Sequence, residues 1–267
     1  MPEQVSLRET YGKTLVELGR ENPDIVVLDA DLAKSTMTHF FGSEFPDRFF
    51  DCGIAEQNMV GIAAGLAASG KTPFASTFAV FVPGRCFDQV RMSIAQPELN
   101  VKLVATHGGI SVGEDGTSHQ SIEDLALIGA LPGFSVIVPA DAVETAQAVR
   151  AAASSYGPFY IRLGRPKLPL VFGEDYRFSL GKAATMKPGQ DATIIAIGIM
   201  VSAALEAAAN LGQQGIDCRV LNMSTLKPID EEAIIKAARE TGAIVTAEEH
   251  LEPVSYTHLT LPTKVGS

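Results

Sequence analysis

Along this chain, short runs of β-branched and other apolar residues alternate with longer Ala- and Gly-rich stretches whose apolar positions recur at helical spacing. A few consecutive apolar residues suit a strand buried on both faces, whereas recurrence every three or four residues suits a helix with one buried side. On that basis strands are predicted at 25–29, 49–51, 73–76, 101–106, 135–138 and 159–163, with helices between them, notably at 56–69 and 141–154. The second helix opens with Asp141 and Glu144 three residues apart, the spacing at which side chains take up the first free backbone N–H groups. Alternating strand and helix predicts an α/β domain, a mostly parallel sheet with helices on both faces, because parallel neighbours need a crossover.

After residue 165 the alternation pauses. Pro166 and Pro169 lie near a short charged run, and 166–182 reads as a linker joining a first domain (1–165) to a second, smaller α/β domain (183–250). There the pattern restarts with strands at 192–197, 217–221 and 243–247 and helices at 202–213 and 231–240. Three strands are few for a stable open sheet. The last segment, 251–267, has no clear period and one apolar cluster broken by Pro262, so the second domain reads as truncated.

Composition narrows the function classes. Hydrophobic residues make up 46% and charged residues 19%, ample for a buried core. A net charge of −10 without a basic cluster argues against a nucleic-acid surface, although a few arginines suffice for one phosphate. No apolar run nears the ~18 residues that span a membrane, and the N-terminus lacks the order of a secretion signal. Cys52, Cys86 and Cys218 are far apart and odd in number, which fits free thiols in a cytoplasmic protein.

Open parallel sheets bind ligands at the carboxyl ends of their strands. Several polar residues fall at that rim: Asp29 and Asp31, Glu56, Thr77 with Phe78, His107, and Arg162 with Arg165. Glu56 starts an apolar helix, where an acid is also favoured by the helix dipole. Gly61 and Gly65 behind it permit close packing, against a partner subunit or within the domain. Phe78 and Phe81, three apart, suit either a core stripe or stacking on a flat ring. The loop T-H-G-G-I-S-V-G-E-D-G-T-S-H packs four glycines, two acids and two histidines into 14 residues. The spacing of His107 and His119 fits no compact metal signature, and the predicted metal ligands are none. With Asp115 the histidines suit hydrogen bonding to hydroxyls and proton movement near neutral pH.

Together, D-A-D-L-A-K-S, D-R-F-F-D-C-G-I-A-E-Q-N-M, S-T-F-A-V-F, the histidine loop and L-G-R-P resemble, in order, the C-terminal half of transketolase. The resemblance implies a pyrimidine-binding domain followed by the family's C-terminal domain, and transfer of a two-carbon ketol unit from a ketose phosphate to an aldose phosphate, as in the pentose phosphate pathway. Glu56 matches the glutamate that hydrogen-bonds N1′ of the thiamine diphosphate aminopyrimidine, and Phe78 and Phe81 match its aromatic pocket. Asp31 lies where the family has an aspartate beside the cofactor. His107, Asp115 and His119 match residues that bind sugar hydroxyls, the two histidines with catalytic roles. Ser35 and Arg165 match those gripping the substrate phosphate. The G-D-G motif that holds magnesium and the diphosphate is missing, as in the second chain of split transketolases. The resemblance therefore implies a separate N-terminal subunit carrying that site, self-association through the pyrimidine-binding domain, and a heterotetramer. Deoxyxylulose-phosphate synthase and the β subunits of 2-oxoacid dehydrogenases share the glutamate and are the alternative reactions, with a non-enzymatic paralogue as a third reading. The paired histidines around G-E-D-G favour transketolase.

Overall fold

The structure is a computed structural model that describes residues 4–251; of the tail predicted at 251–267, residues 252–267 lie outside the described residues. In chain order the first part contains β1 (Gln4–Ser6), α1 (Leu7–Glu21), β2 (Ile25–Asp29), α2 (Ala33–Thr36), α3 (His39–Glu44), β3 (Phe49–Asp51), α4 (Glu56–Ala68) and β4 (Thr72–Phe78). It continues with α5 (Val82–Gln89), β5 (Lys102–Thr106), α6 (Asp124–Gly129), β6 (Ser135–Ile137), α7 (Ala142–Ser154), β7 (Phe159–Arg162) and β8 (Lys167–Pro169). The second part holds β9 (Ala184–Lys187), β10 (Ala192–Ala196), α8 (Met200–Gly212), β11 (Cys218–Asn222), β12 (Thr225–Lys227), α9 (Glu231–Glu240) and β13 (Ile244–Ala247).

The six strands expected in the first domain all form, in the parallel order β6-β7-β5-β4-β2-β3. Every residue of β2, β4, β5 and β7 is buried, the pattern of strands covered on both faces. A seventh strand completes this sheet, and it comes from the second domain: β12 adds antiparallel to β6. The second sheet has four strands, not three, in the order β13-β10-β11-β9, with β9 antiparallel at one edge. Both additional strands are short edge pieces without an apolar run, so periodicity does not mark them.

The two parts share one core. Val136 and Val138 of the first domain pack in the same apolar cluster as Ile195, Ile197, Leu221 and Met223 of the second. The stretch read as a linker is also tied down. Its strand β8 pairs with β1, and the N–H groups of Val171 and Phe172 donate to Asp141 Oδ2 at 2.8 and 2.9 Å. Asp141 Oδ1 meanwhile caps α7 through the Glu144 N–H at 2.9 Å. Glu144 reaches further than a local cap: it accepts from the Ala140 N–H (2.7 Å), the Tyr176 hydroxyl (2.6 Å) and Asn222 Nδ2 (2.9 Å). Burial pushes its carboxyl pKa up, opposed by these bonds. One buried acid thus joins the first domain, the connecting segment and β11.

Candidate active site

The carboxyl ends of β2, β4, β5 and β7 form a rim, and the chain turns sharply there. Among the described residues, two of the four non-glycine residues with positive φ are candidate site residues: Asp31 (φ 61°), two residues past β2, and His107 (φ 62°), directly after β5. Such conformations cost on the order of 1 kcal/mol and persist where the surroundings fix them.

Glu56 begins α4 and is 4% exposed. Its Oε1 accepts from Arg85 Nη1 at 2.9 Å, and the Arg85 guanidinium also lies over the Phe81 ring at 4.0 Å. Phe81 stacks on Phe78 (centroids 5.7 Å apart, 16° between planes), and Phe78 stacks on His107 at 3.8 Å. His119 meets Phe81 and Phe78 edge-on at 5.5 and 6.0 Å. Glu56, Phe78, Phe81, His107 and His119 are therefore one continuous group, assembled from the starts of α4 and α5, the exits of β4 and β5, and the loop before α6. His107 is buried, with Nδ1 against the Thr106 hydroxyl at 2.8 Å. Burial, then the charges of Arg8 and Arg165, lower its pKa to about 3, so the ring is neutral at ordinary pH.

A second group is polar. Arg165 Nη1 donates to Val112 O (2.7 Å), Nη2 to Glu114 (3.0 Å), and Nε lies 3.9 Å from Asp115. Arg8 joins it from the first turn of α1, donating to Ser35 O (2.6 Å) and Arg165 O (3.3 Å). Ser35, Asp115 and Arg165 thus lie around two neighbouring guanidinium groups. The Glu114 side chain is 88% exposed, so an anion can replace it on Arg165 at little cost. Asp31 stays with neither group; its N–H donates to Asp51 Oδ1 at 3.2 Å. Neighbouring Asp29 accepts from the Leu32 N–H and the Thr36 and Thr38 hydroxyls at 2.6–2.8 Å. Burial still raises its pKa to about 6.

Arg85 and Arg8 are the contributors that the sequence did not single out. Each is a long cation near the start of a helix, where the dipole gives it no favourable role, and only the partner across space gives it meaning. Among the described residues no group of three or more His, Cys, Asp or Glu side chains is placed to hold a metal ion.

Fold and rim together define an α/β chain with a candidate site at the carboxyl rim: a buried carboxylate beside stacked rings, next to paired arginines suited to an anion. The family models of the transketolase pyrimidine binding domain and the transketolase C-terminal domain match residues 3–171 and 181–259, and the chain belongs to the transketolase family. The putative transketolase C-terminal section of Methanocaldococcus jannaschii is 48% identical over 91% of this chain and 77% of its own length. A split-gene transketolase solved as an inactive β4 tetramer superposes with a TM-score of 0.90 at 54% identity, covering 99% of this chain and 87% of that one. Human transketolase is 41% identical over 93% of this chain, which spans only 40% of it. The chain is a transketolase-type subunit from a family that uses thiamine diphosphate for ketol transfer. Among its described residues no helix is long and apolar enough to cross a membrane.

Proposed function

We propose that this chain supplies the pyrimidine half of a thiamine diphosphate site and much of the sugar site of a two-chain transketolase acting on sugar phosphates in the cytoplasm. The observation that carries the reading is the arrangement of Arg85. Its guanidinium, flat and hydrogen-bond donating, lies on Phe81 while donating to Glu56. A protonated aminopyrimidine offers the same flat shape and the same donors, so the residues fit that ring. When bound, thiamine diphosphate supplies the electron sink needed to break and make a carbon–carbon bond beside a carbonyl.

The chain's own residues then have distinct tasks. Glu56 holds N1′ by a hydrogen bond and governs where the ring's proton resides, once Arg85 turns outward to solvent. Phe78 and Phe81 wall the ring and exclude water. His107, neutral and aligned by Thr106, has one nitrogen free to donate to or accept from a substrate hydroxyl. His119 and Asp115 hold further hydroxyls, and Arg165, with Arg8 and Ser35, grips the phosphate through charge-assisted hydrogen bonds. Asp31, past the β2 exit, would stand beside the cofactor.

Magnesium and the diphosphate belong to a separate N-terminal subunit, in keeping with the naming of the Methanocaldococcus relative as a C-terminal section and of the solved relative as a split-gene transketolase. Self-association through the pyrimidine-binding domain finds a surface on α4, where nothing lies within 4 Å of the Cβ positions at Gly61 and Gly65 and Ile62 is 38% exposed. Two copies of each chain make the heterotetramer. The test is reconstitution: with the N-terminal subunit, thiamine diphosphate and magnesium, the pair should transfer ketol units between sugar phosphates, and the chain alone should not. A pair that assembles and binds cofactor but transfers nothing would overturn the reading.

A further inference from the structure

The second domain also contacts the first at the histidine loop. Beyond β13 the chain crosses to the rim, and Glu249 places its carboxylate on Ser111: Oε1 accepts from the Ser111 N–H at 2.8 Å and Oε2 from the hydroxyl at 3.0 Å. The loop is shaped to admit it. Gly109 has φ 91°, and a Cβ there would collide with the Glu249 carboxylate. Two backbone ties flank the contact. Buried Arg162 donates through Nη2 both to Ser121 O (2.8 Å), where the loop ends, and to Glu249 O (3.0 Å). The Leu251 N–H donates to Ile122 O at 2.9 Å. The loop's own closure, the Gly109 N–H on Ser121 O at 2.8 Å, lies between them.

The loop carries His107, Asp115 and His119, but its glycines leave the backbone little intrinsic preference. Its tip is held to Arg165 by exposed acids, and of its two apolar side chains Val112 is buried while Ile110 is 59% exposed. A carboxylate accepting both an N–H and a hydroxyl from one residue fixes that residue's position and orientation. We infer that Glu249 is a positioning residue: the second domain clamps the backbone of the histidine loop through Glu249 and Ser111, holding the sugar-binding side chains in register without touching the sugar. The catalytic benefit rests on the function proposed above; the clamp itself does not.

Hydrogen–deuterium exchange on the intact chain tests the clamp without cofactor or partner. Glu249→Ala should speed exchange in peptides covering 108–119 about tenfold or more, the loss expected for a hydrogen bond to a charged group, while β4 and β5 exchange as in wild type. Glu249→Gln, which keeps an acceptor oxygen, should restore most of the protection, and Ser111→Ala should lose only part of it. In the assembled enzyme Glu249→Ala should raise KM for the sugar phosphate more than it lowers kcat. Unchanged loop exchange, or faster exchange spread equally over the whole chain, would overturn the inference. If the assembled wild type shows no ketol transfer, the functional reading fails while the exchange result still decides the clamp.

Discussion

Two buried cations stand at opposite ends of neighbouring strands, and they are satisfied in different ways. Lys102, at the amino end of β5, donates to Asn100 Oδ1 (2.7 Å), Ser155 O (2.7 Å) and Gly157 O (2.8 Å), with its Nζ 4.3 Å from the Phe159 ring centroid. All of these acceptors are neutral and belong to the same domain. Arg162, at the carboxyl end of β7, pairs with buried Asp124 at 3.1 Å and also holds the end of the histidine loop and the second domain. The amino end is a fastening, closed on itself. The carboxyl end spends its polar groups on loops and on a neighbouring domain, which is where a parallel sheet offers space for a ligand.

If that contrast is right, changes at the carboxyl rim should cost activity and changes at the amino end should cost stability. The largest effect is expected from Glu56→Gln, which keeps a contact to the pyrimidine but cannot share its proton. In the assembled enzyme kcat should fall about a hundredfold or more, with little change in unfolding midpoint. A near-normal rate would reduce Glu56 to a helix-start acid. Arg165→Ala comes next. It should raise KM for phosphorylated sugars by about tenfold to a hundredfold, and far less for an unphosphorylated ketose, because a charge-assisted bond is worth roughly 1.5–3 kcal/mol. An equal loss for both substrates would make Arg165 structural.

At the other end, Lys102→Met should leave kcat unchanged and lower stability by about 1–3 kcal/mol, read in denaturant unfolding, since buried acceptors lose their donor. A variant as stable as wild type would break the contrast. A further effect concerns pH. The His107 pKa drops on folding from its ordinary 6.5 to about 3, so the folded chain binds fewer protons than the unfolded one across that window. Stability from this group is complete above the upper value and is lost as pH falls through the lower one. Asp29 acts oppositely, because its pKa rises from 3.8 to about 6 and folding there takes up protons as pH falls. His107→Gln should therefore remove the acid-side loss and leave the Asp29 gain, flattening or reversing the slope of stability between about pH 6 and about pH 4. An unchanged slope would mean that His107 is as accessible to protons folded as unfolded.

Which parts of this were legible in the sequence follows from range. Strands β2, β4, β5 and β7 are buried runs long enough to stand out, β3 and β6 are short but fall in step with the alternation, and the Asp141 cap is a local spacing; all of these signals lie within a few residues. Strands β9 and β12 are short and depend on a neighbour for their hydrogen bonds, so nothing local marks them. The candidate site divides the same way. Glu56, Phe78, Phe81, His107 and His119 stand in motifs, and the fold brings them into contact. Arg85 faces Glu56 from 29 residues away and Glu249 faces Ser111 from 138 away, separations at which no pattern of polarity reports a pairing. The tightness of the join between domains was hidden for the same reason, since Glu144 reads as a helix cap until Asn222 is seen beside it.

The central claim is that this chain holds one end of the cofactor and a second chain the other. Calorimetric titration of thiamine diphosphate with magnesium, first into the purified chain and then into the chain assembled with its N-terminal subunit, tests it most directly. Binding to the chain alone should be weak or undetectable, and binding to the pair tight and saturable. Equally tight binding to the chain by itself would contradict it.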